Sequence, residues 1–239
     1  MIEKLKRVFE ENTELKSAFY FISFLSSSFV NLLSMRNPEI TEDTYQHFVL
    51  DEKSFQNLKP QLEKQKIYFE IGSGNGKFLT ELADSLKDGY FFGCEIDLKR
   101  IKKTIKRIEN FNLPTTYLHR GRGEVFLNWF DDESLEHFYI NFPDPWPKKK
   151  HYRRRFFYPL ENLELVIRKL KKGGRLYFVS DHEEYFFFAL NERLLKHSNL
   201  TTPFLQGFVY SLEGYFSTLY EEKFKKIGKA IHYTYFVKN

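Results

Sequence analysis

The sequence predicts an α/β fold, with a mostly parallel sheet and helices on both faces. Two observations carry that expectation. From Lys66 onward, short apolar runs rich in β-branched and aromatic residues alternate with charged stretches of helical period. The first apolar run also ends in a turn holding Gly72, Gly74 and Gly76, the kind of turn that joins a strand to a helix where a ligand approaches the backbone. The bulk numbers agree. A chain of 239 residues, 42% hydrophobic and 18% aromatic, buries a substantial core and is globular rather than disordered.

Taken in order, residues 1–64 read as a helical extension broken at Pro38 and Pro60, and residues 65–239 as the main domain. Within the extension, residues 17–35 carry no charge. Ser23, Ser27, Asn31 and Ser34 lie on one helical stripe and Phe21, Leu25, Phe29 and Leu32 on another, which predicts an amphipathic helix rather than a membrane span. Met35-Arg36 could serve as an alternative start. The stretches "KIYFEI" (66–71), "YFFGCEI" (90–96), "TTYLHR" (115–120), "HFYINF" (137–142), "RLYFVSD" (175–181) and "AIHYTYFV" (230–237) read as strands. Helices are expected over 77–86, 97–110 with six basic residues, and 158–172, the last capped by Gly173-Gly174.

A single cysteine, Cys94, excludes an internal disulfide and fits a reducing cytoplasm; it reads as a small buried residue. The seven histidines show no ligand spacing with one another or with Cys94, so no metal is expected. No basic n-region with a small-residue cleavage site marks a signal peptide.

Charge is distributed unevenly. The chain has 37 basic and 32 acidic residues, a net +5, and residues 148–155 ("KKKHYRRR") hold six basic residues and no acid. Without them the balance is 31 against 32. A local excess of this kind implies a local polyanion, and phosphates are the natural partner. The run follows "NFPDPWP" (141–147), in which prolines at 143, 145 and 147 fix φ and restrain the residues before them, holding Asp144 on stiff backbone. At the carboxyl edge of a parallel sheet, that is how a reacting group is positioned.

Glu70 precedes the glycine turn, where a carboxylate would repel a pyrophosphate but suits a cationic amino-acid tail. Position 77, where a dinucleotide fingerprint wants its third glycine, is lysine. Glu95 ends the second strand, where a carboxylate takes both hydroxyls of a ribose. Together these fit S-adenosyl-L-methionine better than NAD.

The motifs "FEIGSGNGKF", "GCEID", "INFPDPWPKKKHYRRRF", "LKKGGRLYFVSD" and "TLYEEKFKKIGKAIH" resemble the tRNA (guanine-N7-)-methyltransferase family in order and spacing, over residues 66–237. The resemblance implies a class I, Rossmann-like methyltransferase that moves a methyl group from S-adenosyl-L-methionine to N7 of guanine 46 in the tRNA variable loop. It implies Asp144 as the catalytic acid. It places Glu70, Gly72, Gly74, Glu95, Arg122, Gly123 and Asn141 at the cofactor, and Lys148, Asp181, Thr218 and Glu221 at the substrate. Without it, Thr218 and Glu221 read as a solvated helix or loop. One departure stands out: Arg122-Gly123 occupies the family's Asp-Ala position, and arginine cannot accept the adenine amino hydrogen bond, leaving backbone groups or Glu124 to do so. Two other classes stay open on the residues. One is a methyltransferase acting on an exocyclic amine, which would read Asn/Asp-Pro-Pro-aromatic here; the other is a non-catalytic RNA-binding module on the same fold.

Overall fold

A computed structural model describes residues 39–239, so the amphipathic helix expected over 17–35 and the alternative start at Met35 lie outside the described residues. Short helices α1 (Glu42–Phe48) and α2 (Glu52–Leu58) open the described chain. Asp51 caps α2, with its carboxylate accepting from the Ser54 amide at 2.7 Å.

The sheet is built from β1 (Ile67–Ile71), β2 (Tyr90–Cys94), β3 (Thr116–His119), β4 (Leu135–Asn141), β5 (Leu170–Ser180), β6 (Leu200–Thr201) and β7 (His232–Lys238), in the order β3-β2-β1-β4-β5-β7-β6. The first five run parallel, and β7 is antiparallel to both of its neighbours. The crossovers carry α3 (Lys77–Leu86), α4 (Leu98–Phe111), α5 (Gly123–Asn128) and α6 (Leu160–Lys169); α7 (Glu183–Ala189) and α8 (Leu219–Lys226) follow β5. After β3 the chain returns to lay β4 against β1. The strand order therefore reverses between β1 and β4, the switch point at whose carboxyl ends open α/β sheets bind their ligands.

The strands that read as continuous apolar runs are buried on both faces, as a parallel sheet requires. Phe69, Phe92, Phe138 and Phe178 lie in one core cluster with Phe126 and Phe130, and the Phe69 and Phe138 rings stack at 5.3 Å. Leu50, Phe55, Leu58 and Leu62 belong to the same core, so its packing reaches upstream of residue 65.

One local expectation is overturned. Gly173-Gly174 does not cap a helix: α6 ends at Lys169, and β5 has already begun at Leu170. Leu170 pairs with Leu135 and Arg175 with His137, so the two glycines belong to a bulge in the ladder. A Cβ on Gly174 would sit 3.0 Å from the Leu135 carbonyl, which explains glycine there. Cys94 is buried as expected, and burial pushes its thiol up to about 12.

Candidate active site

Glu70 and Asn141 are carried to the switch point by neighbouring strands. The Asn141 amide donates to Glu70 Oε1 at 2.9 Å, and Asn141 Oδ1 accepts from the Tyr215 hydroxyl at 2.6 Å. Glu70 is only 2% exposed, and its second oxygen, Oε2, is buried with no hydrogen-bond partner. Burial raises this carboxyl to about 7, opposed by the Asn141 hydrogen bond and reinforced by the charge of Glu95. An unpartnered buried carboxylate oxygen is costly by itself and calls for a cationic donor.

The three glycines of the following turn all have positive φ (70°, 57° and 75°), but for different reasons. A Cβ on Gly76 would overlap Thr104 of α4 at 2.2 Å, so this glycine serves packing. A Cβ on Gly72 would meet nothing within 4 Å, and one on Gly74 only the Gly72 carbonyl at 4.0 Å. The open face beside these two is where an extended ligand would lie against the backbone. Glu95 is engaged at its base: Oε1 accepts from the amides of Ile96 (2.7 Å) and Asp97 (3.0 Å), and Oε2 lies 3.4 Å from Arg100. Arg122 is largely exposed beside Glu124 at 3.4 Å. Gly123 is a packing requirement, since a Cβ would lie 2.3 Å from Ile71.

The segment after β4 corrects the expected proline restraint. Phe142 (φ 48°) and Trp146 (φ 42°) both adopt left-handed backbone although each precedes a proline. Such residues cost of order 1–3 kcal/mol each and persist only where their surroundings hold them. Phe142 is held by its amide, which donates to the Val179 carbonyl at 2.9 Å, and by Tyr220 and Phe224 against its ring. The Trp146 end is supported through Pro145 by Arg155, expected among the phosphate-binding cations but only 1% exposed. Its Nε donates to the Pro145 carbonyl at 2.6 Å, and its two terminal nitrogens grip Glu184 of α7 at 3.0 and 2.7 Å. The guanidinium also lies 3.5 Å from the Tyr152 ring centre. Arg154 sits over Trp146 at 4.8 Å. The basic run is thus a 3₁₀ turn over Lys149–Arg154, folded against the proline loop. Lys148, Lys149, Lys150 and Arg153 stay exposed, and so does Asp144, which has no hydrogen bond or ion pair with a described residue.

The strap before β7 is not the solvated segment that Thr218 and Glu221 suggest by themselves. Thr218 caps α8, accepting from the Glu221 amide at 3.0 Å. Glu221 is 3% exposed; Oε1 accepts from Lys225 (2.6 Å) and from the Tyr233 hydroxyl (2.7 Å), while Oε2 is buried without a partner. Lys77, standing in the third-glycine position, ties this strap to α3. Its ammonium bonds Ser217 O (3.1 Å) and Oγ (2.9 Å) and pairs with Glu222 at 3.0 Å. Arg100 reaches the Tyr220 hydroxyl at 3.3 Å. Asp181 is paired with Lys229. Sequence reading missed Tyr215, Lys77 and Arg155 as organisers, although the lysine at 77 was visible as a departure. Among the described residues no group of three His, Cys, Asp or Glu is placed to hold a metal ion.

Comparison with known proteins agrees with this geometry. The family described as "Putative methyltransferase" matches residues 64–234. A tRNA (guanine-N(7)-)-methyltransferase of Streptococcus pyogenes serotype M5 (strain Manfredo) is 32% identical over 166 residues, which cover 70% of this chain and 78% of that protein. The fold is shared with an rRNA methylase from Streptococcus thermophilus (TM-score 0.51, 17% identity, 78% of this chain and 94% of that one). It is also shared with a Streptococcus mutans protein crystallised in complex with SAH (TM-score 0.51, 14% identity, 80% and 100%). With these matches, the chain belongs to the tRNA (guanine-N(7)-)-methyltransferase family.

Proposed function

We propose that the protein transfers the methyl group of S-adenosyl-L-methionine to N7 of a guanine in tRNA, guanine 46 of the variable loop, in the cytoplasm. Family membership supports the reaction. The observation that carries the site is Glu70 Oε2, a buried carboxylate oxygen with no partner, beside glycines 72 and 74 whose missing side chains leave space. These groups fit the cofactor's amino-acid tail: the ammonium donates to Glu70, and the chain passes over the glycine backbone. Glu95, with Oε2 turned from its own backbone, is the ribose acceptor, and the Arg122–Gly123 backbone lies at the adenine end. Bound there, the cofactor supplies an electrophilic methyl group.

The protein's own contribution at the other partner is electrostatic. Guanine N7 carries an in-plane lone pair, so no base need remove a proton, but the ring gains positive charge as it is methylated. Asp144, three residues beyond Asn141 on a loop clamped by Arg155, orients the base and stabilises that charge. Lys148 and its neighbours anchor phosphates, and Asp181, Thr218 and Glu221 complete the substrate side. Incubation with unmodified tRNA and methyl-labelled cofactor, followed by nucleoside analysis, should place the label in 7-methylguanosine. Label in an exocyclic-amine product, or none, would refute the assignment.

A further inference from the structure

A second basic surface lies outside the site. Helix α4, "LKRIKKTIKRIENF", carries Lys99, Arg100, Lys102, Lys103, Lys106 and Arg107 against a single acid, Glu109, in 14 residues. Ile101, Thr104, Ile105 and Ile108 form its buried stripe. Lys99, Lys102, Lys103, Lys106 and Arg107 recur at i, i+3, i+4, i+7 and i+8, which places them on the opposite face.

A solvated lysine face is common on amphipathic helices, but α4 gathers its cations on one face, whereas many lysines elsewhere in the protein are paired with acids. Lys59, Lys66, Lys77, Lys169, Lys196, Lys225 and Lys238 each meet a carboxylate within 3.2 Å. On α4, the side chains of Lys99, Lys102, Lys103 and Arg107 form no salt bridge, ring contact or side-chain hydrogen bond with a described residue, although Lys99 lies in the field of Asp97. These like charges recur within about 12 Å of helix, where neighbours one turn apart repel.

Position matters as much as charge. The helix starts at the site's rim: Asp97 caps it, and Arg100 links Glu95 to Tyr220 of the strap. Its strand, β2, lies on one side of β1, and β4, which leads to the Lys148–Arg154 turn, lies on the other. Strands β2 and β4 are two strand spacings apart, about 10 Å, so the elements that follow them stand on either side of β1.

We infer that the exposed face of α4 is a second phosphate-binding track for the tRNA, holding a stretch of backbone distant from the methylated base while the 148–154 turn holds the nearer one. The inference rests on the proposed tRNA substrate. It assigns the recognition of full-length tRNA, as opposed to a short RNA bearing the target guanine, to this helix.

The test replaces Lys99, Lys102, Lys103 and Arg107 with Gln and compares binding and methylation of full-length tRNA with those of a short hairpin containing the variable loop. A second variant carries Arg at the three lysine positions, keeping the charge. The Gln variant should lower the log–log salt slope of tRNA binding by about 3–4, at about 0.9 per lost duplex phosphate contact. It should also raise KM for full-length tRNA at least tenfold, leaving kcat, hairpin methylation and cofactor affinity unchanged; the Arg variant should match the wild type. An unchanged slope, or equal losses on hairpin and full-length tRNA, would overturn the inference. If wild-type protein binds tRNA with the steep slope but methylates neither RNA, the proposed reaction fails while the track is supported by its slope change alone.

Discussion

Glu70 shows at the scale of one residue how burial sets the terms on which a carboxylate meets a cation. Its carboxyl is raised to about 7 by burial, and Oε2 has no partner. The folded value lies above the unfolded one. The group's contribution to stability is therefore full below the ordinary carboxylate range, near 4.5, and is lost as pH rises through about 7. An ammonium donor removes that cost by favouring the charged form. Cofactor binding at pH 6 should then release close to one proton, and affinity should weaken about tenfold per pH unit below 7. Calorimetry in two buffers of different ionisation enthalpy measures the release. Glu70→Gln should abolish it and bind weakly at every pH; a release that survives in Glu70→Gln would remove Glu70 from the cofactor site.

Arg155 is the residue on which the proline loop depends as an element. Three prolines predict a stiff loop, yet stiffness alone does not explain two aromatic residues with left-handed backbone. Val179, Tyr220 and Phe224 support Phe142, and the Arg155 fork, bonded to Pro145 and Glu184, supports the loop beside Trp146. Lysine keeps the charge but cannot span both partners. Arg155→Lys should cost about 1–3 kcal/mol in stability, read by chemical denaturation. It should also lower kcat at least tenfold, because Asp144 loses its fixed place, with cofactor affinity changed less than threefold. Unaltered kcat would mean that the loop holds Asp144 without the clamp.

Elements also mark what the sequence made legible. The alternation of apolar runs and charged stretches located strands and crossover helices to within a few residues, because burial on both faces leaves a parallel strand little latitude in composition. Glu70 and Glu95 could be placed because strand ends have a fixed relation to the crevice. Arg155 could not: in sequence it is one of six cations, and only the fold brings Glu184, 29 residues on, beneath it. Nor could Glu221, whose burial depends on Tyr233 in the last strand. The Gly173-Gly174 bulge mimicked a helix cap because both need the same backbone freedom.

Charge decides how the whole molecule meets RNA. The positive excess assigned to residues 148–155 is smaller than it looks, since Arg155 is neutralised by Glu184 and Arg154 packs on Trp146. Besides Arg153, the lysines Lys148, Lys149 and Lys150 remain for phosphates. Changing all three to Gln should lower the log–log salt slope of tRNA binding by about 2–3 and weaken binding to full-length tRNA and hairpin alike. A slope equal to that of the wild type would make the turn a solvated loop.

In the proposed reaction Asp144 is where these scales converge: one carboxylate, on a clamped element, assigned to act between the methyl donor and the RNA. Single-turnover methylation of tRNA by Asp144→Ala, at saturating cofactor, tests that convergence most directly. The rate should fall by about 10²–10³, the usual cost of losing one preorganised group, with cofactor affinity within a few-fold of wild type. A rate equal to wild type would contradict the account.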